Sequence, residues 1–264
     1  MIGIFDSGLG GLSALKEVRR LLPSEDIIYF GDTGRVPYGT RSRDTIIKYS
    51  LQDMNFLASK GVDAVLVACG TASSNALATL REKYPNIPII GVIDAGVRAA
   101  AKATKNKIIG IAGTPSTIGS GAFEKGLHAV NPDFKTVSAA CPLFVPLVEN
   151  GFVSADDEIT RLAAKTHLAP IIEAHADTLI LGCTHYPIIA PTIAKVIPDA
   201  TLINVGAAAA EELRAVMDNG ISTLRLGRVQ YFVSDEPQGF ERIASIFLGE
   251  EITDKVTRID IERY

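Results

Sequence analysis

Two of the chain's three cysteines stand at matching points of matching segments. Asp63–Asn75, DAVLVACGTASSN, runs an apolar strand into Cys69 and then into small polar residues; Asp177–Pro187, DTLILGCTHYP, does the same around Cys183. A cysteine that ends a parallel strand and precedes a helix lies at the carboxyl edge of the sheet, where α/β proteins bind ligands. It also lies near a helix N-terminus, whose unpaired N–H groups favour the thiolate and lower the thiol pKa. One such cysteine reads first as a small buried apolar residue. Two in equivalent positions read as a functional pair. Cys141, in AACPLF, has no twin and is read as buried.

Two thiols from opposite halves of a protein suit a reaction that removes a proton from one face of a stereocentre and returns one to the other. Each group is then base in one direction and acid in the other, and a cysteine pKa of about 8.5 can be brought close to ambient pH for both tasks. A redox pair is a competing reading, but it needs sulfurs in contact, which halves separated by a substrate do not allow. A metal site is another; Cys183-x-His185 lacks the third and fourth ligands that zinc takes, and there is no CxxC. His185 reads either as the acid/base partner of Cys183 or as a satisfied buried histidine.

Phe5–Gly11, FDSGLGG, follows the first strand and opens the first helix, so its glycines expose N–H groups where an anion is favoured. A dinucleotide fingerprint fits poorly, because the pattern is G-x-G-G with Ser13 where the third glycine belongs, and Asp6 would crowd a pyrophosphate. Asp6 is placed to hold an ammonium group, to orient an imidazole, or to cap the turn that follows.

These residues need a rigid frame, and the chain supplies one. Strands IGIFD, DIIYFGD, Ala64–Ala68 and Ile89–Val92 alternate with helices LSALKEVRRLL, Thr45–Ala58 and Ser73–Tyr84, with the Gly/Pro-rich loop GDTGRVPYGTRS between. After a linking helix near Ala95–Ala103 the pattern restarts: strands in KIIGIAGTPST, Thr136–Ala139, Thr178–Leu181 and Thr201–Val205, and helices Phe123–Val130, Ala155–Ala174 and Ile188–Val196. Such alternation implies parallel sheets flanked by helices. IGIFDSG and IGIAGTP also resemble each other, as the cysteine segments do, which implies two similar halves facing each other across a cleft. The tail, with VQYFVSD and a Phe240–Phe247 helix, is expected to complete the first half.

Composition agrees with a compact α/β enzyme: 47% apolar, 23 Gly, 13 Pro and no Trp. The net charge of −4 comes from scattered residues, so neither a nucleic-acid stripe nor a polybasic membrane patch is present. No apolar run approaches the ~20 residues of a membrane span. Met1 leads directly into a strand without a leader pattern, and the odd cysteine count argues against a disulfide framework, so the chain reads as cytoplasmic.

DSGLGG, YFGDTGRVPYG, ACGTAS, GTPST, CPLFVPLVENG and LGCTHYP, in this order and spacing, resemble the glutamate racemases of the aspartate/glutamate racemase superfamily, and the likeness runs through the FVSDEP tail. It implies two pseudo-symmetric α/β domains with mainly parallel sheets and the active site between them: residues 1–97 with 207–264, and 98–206. It implies cofactor-independent, two-base interconversion of L- and D-glutamate, supplying D-glutamate for peptidoglycan, by a homodimer with no metal, nucleic-acid or membrane partner. By motif, Cys69 deprotonates D-glutamate and Cys183 L-glutamate. Asp6 and His185 assist the thiols, and Glu149 sits beside His185. Ser7, Pro37, Tyr38 and Gly39 border the substrate, and Thr71, Thr114, Thr117 and Thr184 donate to its carboxylates.

The motif loops contain no lysine, and only Arg35 and Arg41 are cationic. A dicarboxylate is thus expected to be held by N–H groups, hydroxyls and helix N-termini, donors that also stabilise enediolate-like charge. Gly70 stands where the family usually carries a substrate-binding asparagine, and is expected to let substrate or water approach more closely. A superfamily enzyme acting on another substrate such as aspartate, and a non-catalytic binding protein on this scaffold, are the alternatives. A PLP racemase is disfavoured because no lysine stands out as a Schiff-base candidate.

Overall fold

A computed structural model describes residues 1–217, 225–237, 240–252 and 254–264. The first half runs β1 (Ile2–Asp6), α1 (Leu12–Leu21), β2 (Ile27–Gly31), α2 (Arg43–Ser59), β3 (Ala64–Val67), α3 (Gly70–Lys83) and β4 (Ile89–Gly91). Helix α4 (Val92–Ala103) crosses to β5 (Ile108–Gly113), α5 (Pro115–Ser120), α6 (Ala122–Val130), β6 (Lys135–Ala140), α7 (Phe144–Glu149), α8 (Glu158–Glu173), β7 (Thr178–Leu181), α9 (Ala190–Val196) and β8 (Thr201–Asn204). Helix α10 (Val205–Met217) returns to β9 (Val229–Val233), α11 (Phe240–Leu248) and β10 (Val256–Arg258).

The strands form two sheets, ordered β10-β9-β2-β1-β3-β4 and β6-β5-β7-β8, and every pairing among the described residues is parallel. The order β2-β1-β3-β4 is repeated as β6-β5-β7-β8, so β3 and β7, which lead into the two cysteines, occupy equivalent places. The tail strand β9 joins the first sheet beside β2, and β10, which the sequence pattern did not reveal, extends it. The connecting helices α4 and α10 pack on each other, and the 97/98 and 206/207 divisions fall inside them.

Local chemistry explains where the helices begin. Helix α3 starts at Gly70, three residues before its apolar repeat, because the Cys69 sulfur accepts the Ala72 N–H and acts as the cap. Thr114 caps α5, with Pro115 following as the first helical residue, and Asp157 caps α8. Asn204 accepts the N–H groups of Gly206 and Ala207 at the head of α10. Pro187 and Pro191 split the expected Ile188–Val196 helix into a short 3₁₀ turn, Tyr186–Ile189, and α9.

One apolar cluster is continuous between the sheets, joining Ile4 and Leu12 through Val92, Val97 and Ala209 to Ile109 and Ile180. A second, with Phe5, Phe30, Phe56, Val65 and Leu80, covers the other face of the first sheet. The strand ends are therefore fixed by packing on both sides, which is what a site built from those ends requires. No described helix is long and apolar enough to cross a membrane.

Candidate active site

The carboxyl ends of β1, β3, β5 and β7 converge on a cleft of about 500 Å³. Every residue expected at the site lines it. Asp6 and Ser7 follow β1; Pro37, Tyr38 and Gly39 come from the β2–α2 loop; Cys69, Gly70 and Thr71 follow β3. From the second half come Thr114 and Thr117 after β5, Glu149 at the end of α7, and Cys183, Thr184 and His185 after β7. All three cysteines are buried free thiols.

The two site cysteines have opposite surroundings. Cys69 lies 3.3 Å from Ser7 Oγ and 3.4 Å from the Ala72 nitrogen. Burial pushes its thiol up to about 12, the Asp6 charge adds to this, and the hydrogen bonds with Ser7 and Ala72 oppose it. The expectation of a lowered pKa is thus corrected for Cys69. The helix N–H does reach the sulfur, but lost hydration outweighs it.

Cys183 Sγ lies 3.7 Å from His185 Nδ1, and His185 Nε2 is 2.9 Å from Glu149 Oε1. Burial disfavours the imidazolium, yet hydrogen bonds and charge from Cys183 and Glu149 outweigh it and raise the imidazole to about 10. An imidazolium here gives one N–H to the carboxylate and the other to the sulfur. His185 is thus a buried histidine whose two ring nitrogens are partnered by side chains, in a Cys183–His185–Glu149 chain that also sets it beside the Cys183 sulfur.

Asp6 is 2% exposed and accepts the Gly8 N–H at 3.0 Å, so it does cap its turn. Burial also raises its carboxyl above the usual range, against the His185 charge and the N–H groups of Gly11 and Gly8. Tyr38 lines the cleft, and its hydroxyl lies between the buried carboxylates of Asp32 and Asp53. Arg35 pairs with the same two carboxylates and Arg41 is exposed, so no lysine or arginine lines the cleft among the described residues.

Gly70 differs most from expectation. The space where its side chain would project is not free for substrate: a Cβ there would lie 2.8 Å from the Gly182 carbonyl oxygen and 3.5 Å from Thr117 Oγ1. Its glycine lets the Cys69 segment approach the Cys183 segment. Residues that sequence reasoning passed over include Val145, Pro146 and Asn150 in and beyond α7, while Cys141 is fully buried as expected and also lines the cleft. The only signal for them was the CPLFVPLVENG motif itself, since α7 is too short to show a period.

Comparison with known proteins agrees with this geometry. The family model Asp/Glu/Hydantoin racemase matches residues 11–213. The glutamate racemase of Geobacter metallireducens is 44% identical over 265 residues, covering 99% of this chain and 97% of that protein. The crystal structure of glutamate racemase from Francisella tularensis in complex with D-glutamate superposes with a TM-score of 0.91 at 38% identity, covering 100% of this chain and 98% of the other. A Bacillus anthracis glutamate racemase isoform gives a TM-score of 0.92 at 39% identity over 98% and 97% of the two chains. With a family model across most of its length and relatives this similar over nearly all of it, the chain belongs to the Asp/Glu/hydantoin racemase family.

Proposed function

We propose that the protein interconverts L- and D-glutamate by a two-base mechanism without a cofactor, supplying D-glutamate for peptidoglycan. The observation that carries this reading is the pair of buried free thiols at equivalent strand ends of one cleft, Cys69 beside Ser7 and Cys183 beside His185. Cys183 takes the Cα proton of L-glutamate, and the Cys69 thiol delivers its own proton to the opposite face. D-Glutamate leaves a Cys183 thiol and a Cys69 thiolate, and the reverse reaction restores the starting state.

Negative charge that develops on the α-carboxylate meets neutral donors: the hydroxyls of Thr71, Thr114, Thr117 and Thr184, and the N–H groups at the head of α3. Asp6, beside Cys69 and opposite His185, serves the D-side thiol; Glu149 orients His185 on the L side. Residues 1–97 with 207–264 and residues 98–206 are taken as the two domains, and the active form as a cytoplasmic homodimer.

The test is ellipticity. Solutions of L- and of D-glutamate should each decay to zero with the purified protein and no added cofactor, while aspartate stays unchanged. Loss of ellipticity with aspartate alone would reassign the substrate, and loss with neither would overturn the reading.

A further inference from the structure

We infer that Ser13 is a positioning residue that sets the Cys183–His185 side of the site from the opposite half of the molecule; the inference rests on the racemase reading above. After β7 the backbone enters a series of hydrogen bonds spanning three residues. Tyr186 N–H donates to the Cys183 carbonyl at 3.1 Å and Ile188 N–H to the His185 carbonyl at 3.1 Å. The bond between them in that series would run from residue 187 to the Thr184 carbonyl, but residue 187 is proline and has no N–H. Thr184 is 4% exposed, so water cannot readily supply the donor.

The donor comes from the first turn of α1. Ser13 Oγ lies 2.6 Å from the Thr184 carbonyl oxygen, across 171 residues of chain. The same hydroxyl is 2.9 Å from the Gly10 carbonyl, which already accepts the Ser13 N–H at 3.0 Å. The single hydroxyl proton therefore goes to Thr184, whose carbonyl has no other donor among the described residues. A buried carbonyl so paired is costly to leave unmade.

The bond falls on the peptide between Cys183 and His185, so it governs how sulfur and imidazole face each other. Two further contacts from the first half close the same seat. A Cβ at Gly10 would collide with His185 Nδ1, so the β1–α1 loop rests against the imidazole. Phe247 of α11 meets that ring edge-on, with centroids 5.1 Å apart at 87°. Glu149 fixes one nitrogen of the ring, while Gly10, Phe247 and the Ser13-anchored backbone fix its position. The serine that breaks the dinucleotide-like glycine pattern thus has a role of its own.

The experiment uses the full chain with L- and D-glutamate carrying deuterium at Cα. Ser13→Ala should keep the circular dichroism spectrum of the wild type and lower kcat roughly tenfold, the size expected for one unmade buried hydrogen bond. If Ser13 acts through the Cys183 side, removal of the proton by Cys183 becomes a larger share of the barrier. The deuterium effect on kcat/KM should then rise for L-glutamate and fall for D-glutamate, a split that general loosening would not produce. Ser13→Thr, which keeps the hydroxyl, should act like the wild type. Ser13→Ala combined with Pro187→Ala, which restores an N–H in the gap, should recover activity or, if the single variant misfolds, the fold. Unchanged kcat in Ser13→Ala, parallel isotope effects for the two enantiomers, or no recovery in the double variant would overturn the inference. A wild-type chain that fails to racemise glutamate would instead overturn the reading beneath it.

Discussion

Substituting Gly70 tests whether the two halves must touch for the thiols to work. A Cβ on residue 70 would sit 2.8 Å from the Gly182 oxygen, and that carbonyl is backbone, not the end of a flexible side chain. Gly182 is itself tied, since its N–H donates to the Ala112 carbonyl at 2.8 Å as β7 leaves the sheet. Ordinary contact requires a retreat of about half an ångström. The displacement falls one residue before Cys183. Gly70→Ala should therefore cost about 1–3 kcal/mol of stability, as overpacking does. It should also lower kcat by roughly tenfold, since a full ångström of misplacement can cost about a hundredfold and the retreat is about half of that. Gly70→Asn should do at least as much, with KM no lower. Urea unfolding gives the first quantity, and the decay of glutamate ellipticity gives kcat and KM. Wild-type stability and kcat in Gly70→Ala, or a lower KM in Gly70→Asn, would refute the contact and show that the halves separate freely enough for an amide donor to help.

Glu149→Gln removes a charge that raises His185. In the wild type the imidazolium is present below its pKa of about 10 and is lost as pH rises through it, so the alkaline limb of kcat for L-glutamate should lie there. In the variant that limb should move to lower pH, and a pH–rate profile with an unmoved limb would contradict the assignment. Asp6→Asn should separate stability from function. Burial raises the Asp6 carboxyl above 3.8, so the folded state binds its proton more tightly than the unfolded chain, and ionising it costs stability as pH rises through that window. The neutral variant should melt higher than the wild type at neutral pH while kcat falls about a hundredfold, the lower range for losing an acid/base group; a lower Tm would contradict this. Tyr38→Phe leaves Asp32 and Asp53 without the phenol and should cost about 1.5–3 kcal/mol in urea unfolding, as for hydrogen bonds to charged groups. An unchanged urea midpoint would show that the phenol is not needed.

Much of this was legible because parallel strands and small polar loops leave plain traces. The likeness of IGIFDSG to IGIAGTP, and of one cysteine segment to the other, appears in space as the repeated strand order around β1 and β5. Most site residues were readable because they follow a strand, at the edge where α/β folds place their ligands, whereas Glu149, at the end of α7, was indicated only by the family resemblance. What was hidden depended on partners distant in sequence. The pKa of Cys69 could not be read from its helix N-terminus, because burial by surrounding strands decides it. Gly70 looked like a vacancy, but its neighbour is the Gly182 carbonyl, more than a hundred residues away. Ser13 looked like a flaw in a glycine pattern until the missing N–H of Pro187 gave it a purpose. Helices α5 and α7 were missed because six residues hold too few turns to show a period.

The central claim is that Cys69 and Cys183 act on opposite faces of one α-carbon. The most direct measurement follows the Cα proton by NMR in deuterated water for Cys69→Ser and Cys183→Ser, each with L- and with D-glutamate. Neither variant should racemise. Cys69→Ser should exchange the proton of L-glutamate only, through the intact Cys183 side, and Cys183→Ser that of D-glutamate only. Exchange of the same enantiomer by both variants, or racemisation by either at near wild-type rate, would contradict the account.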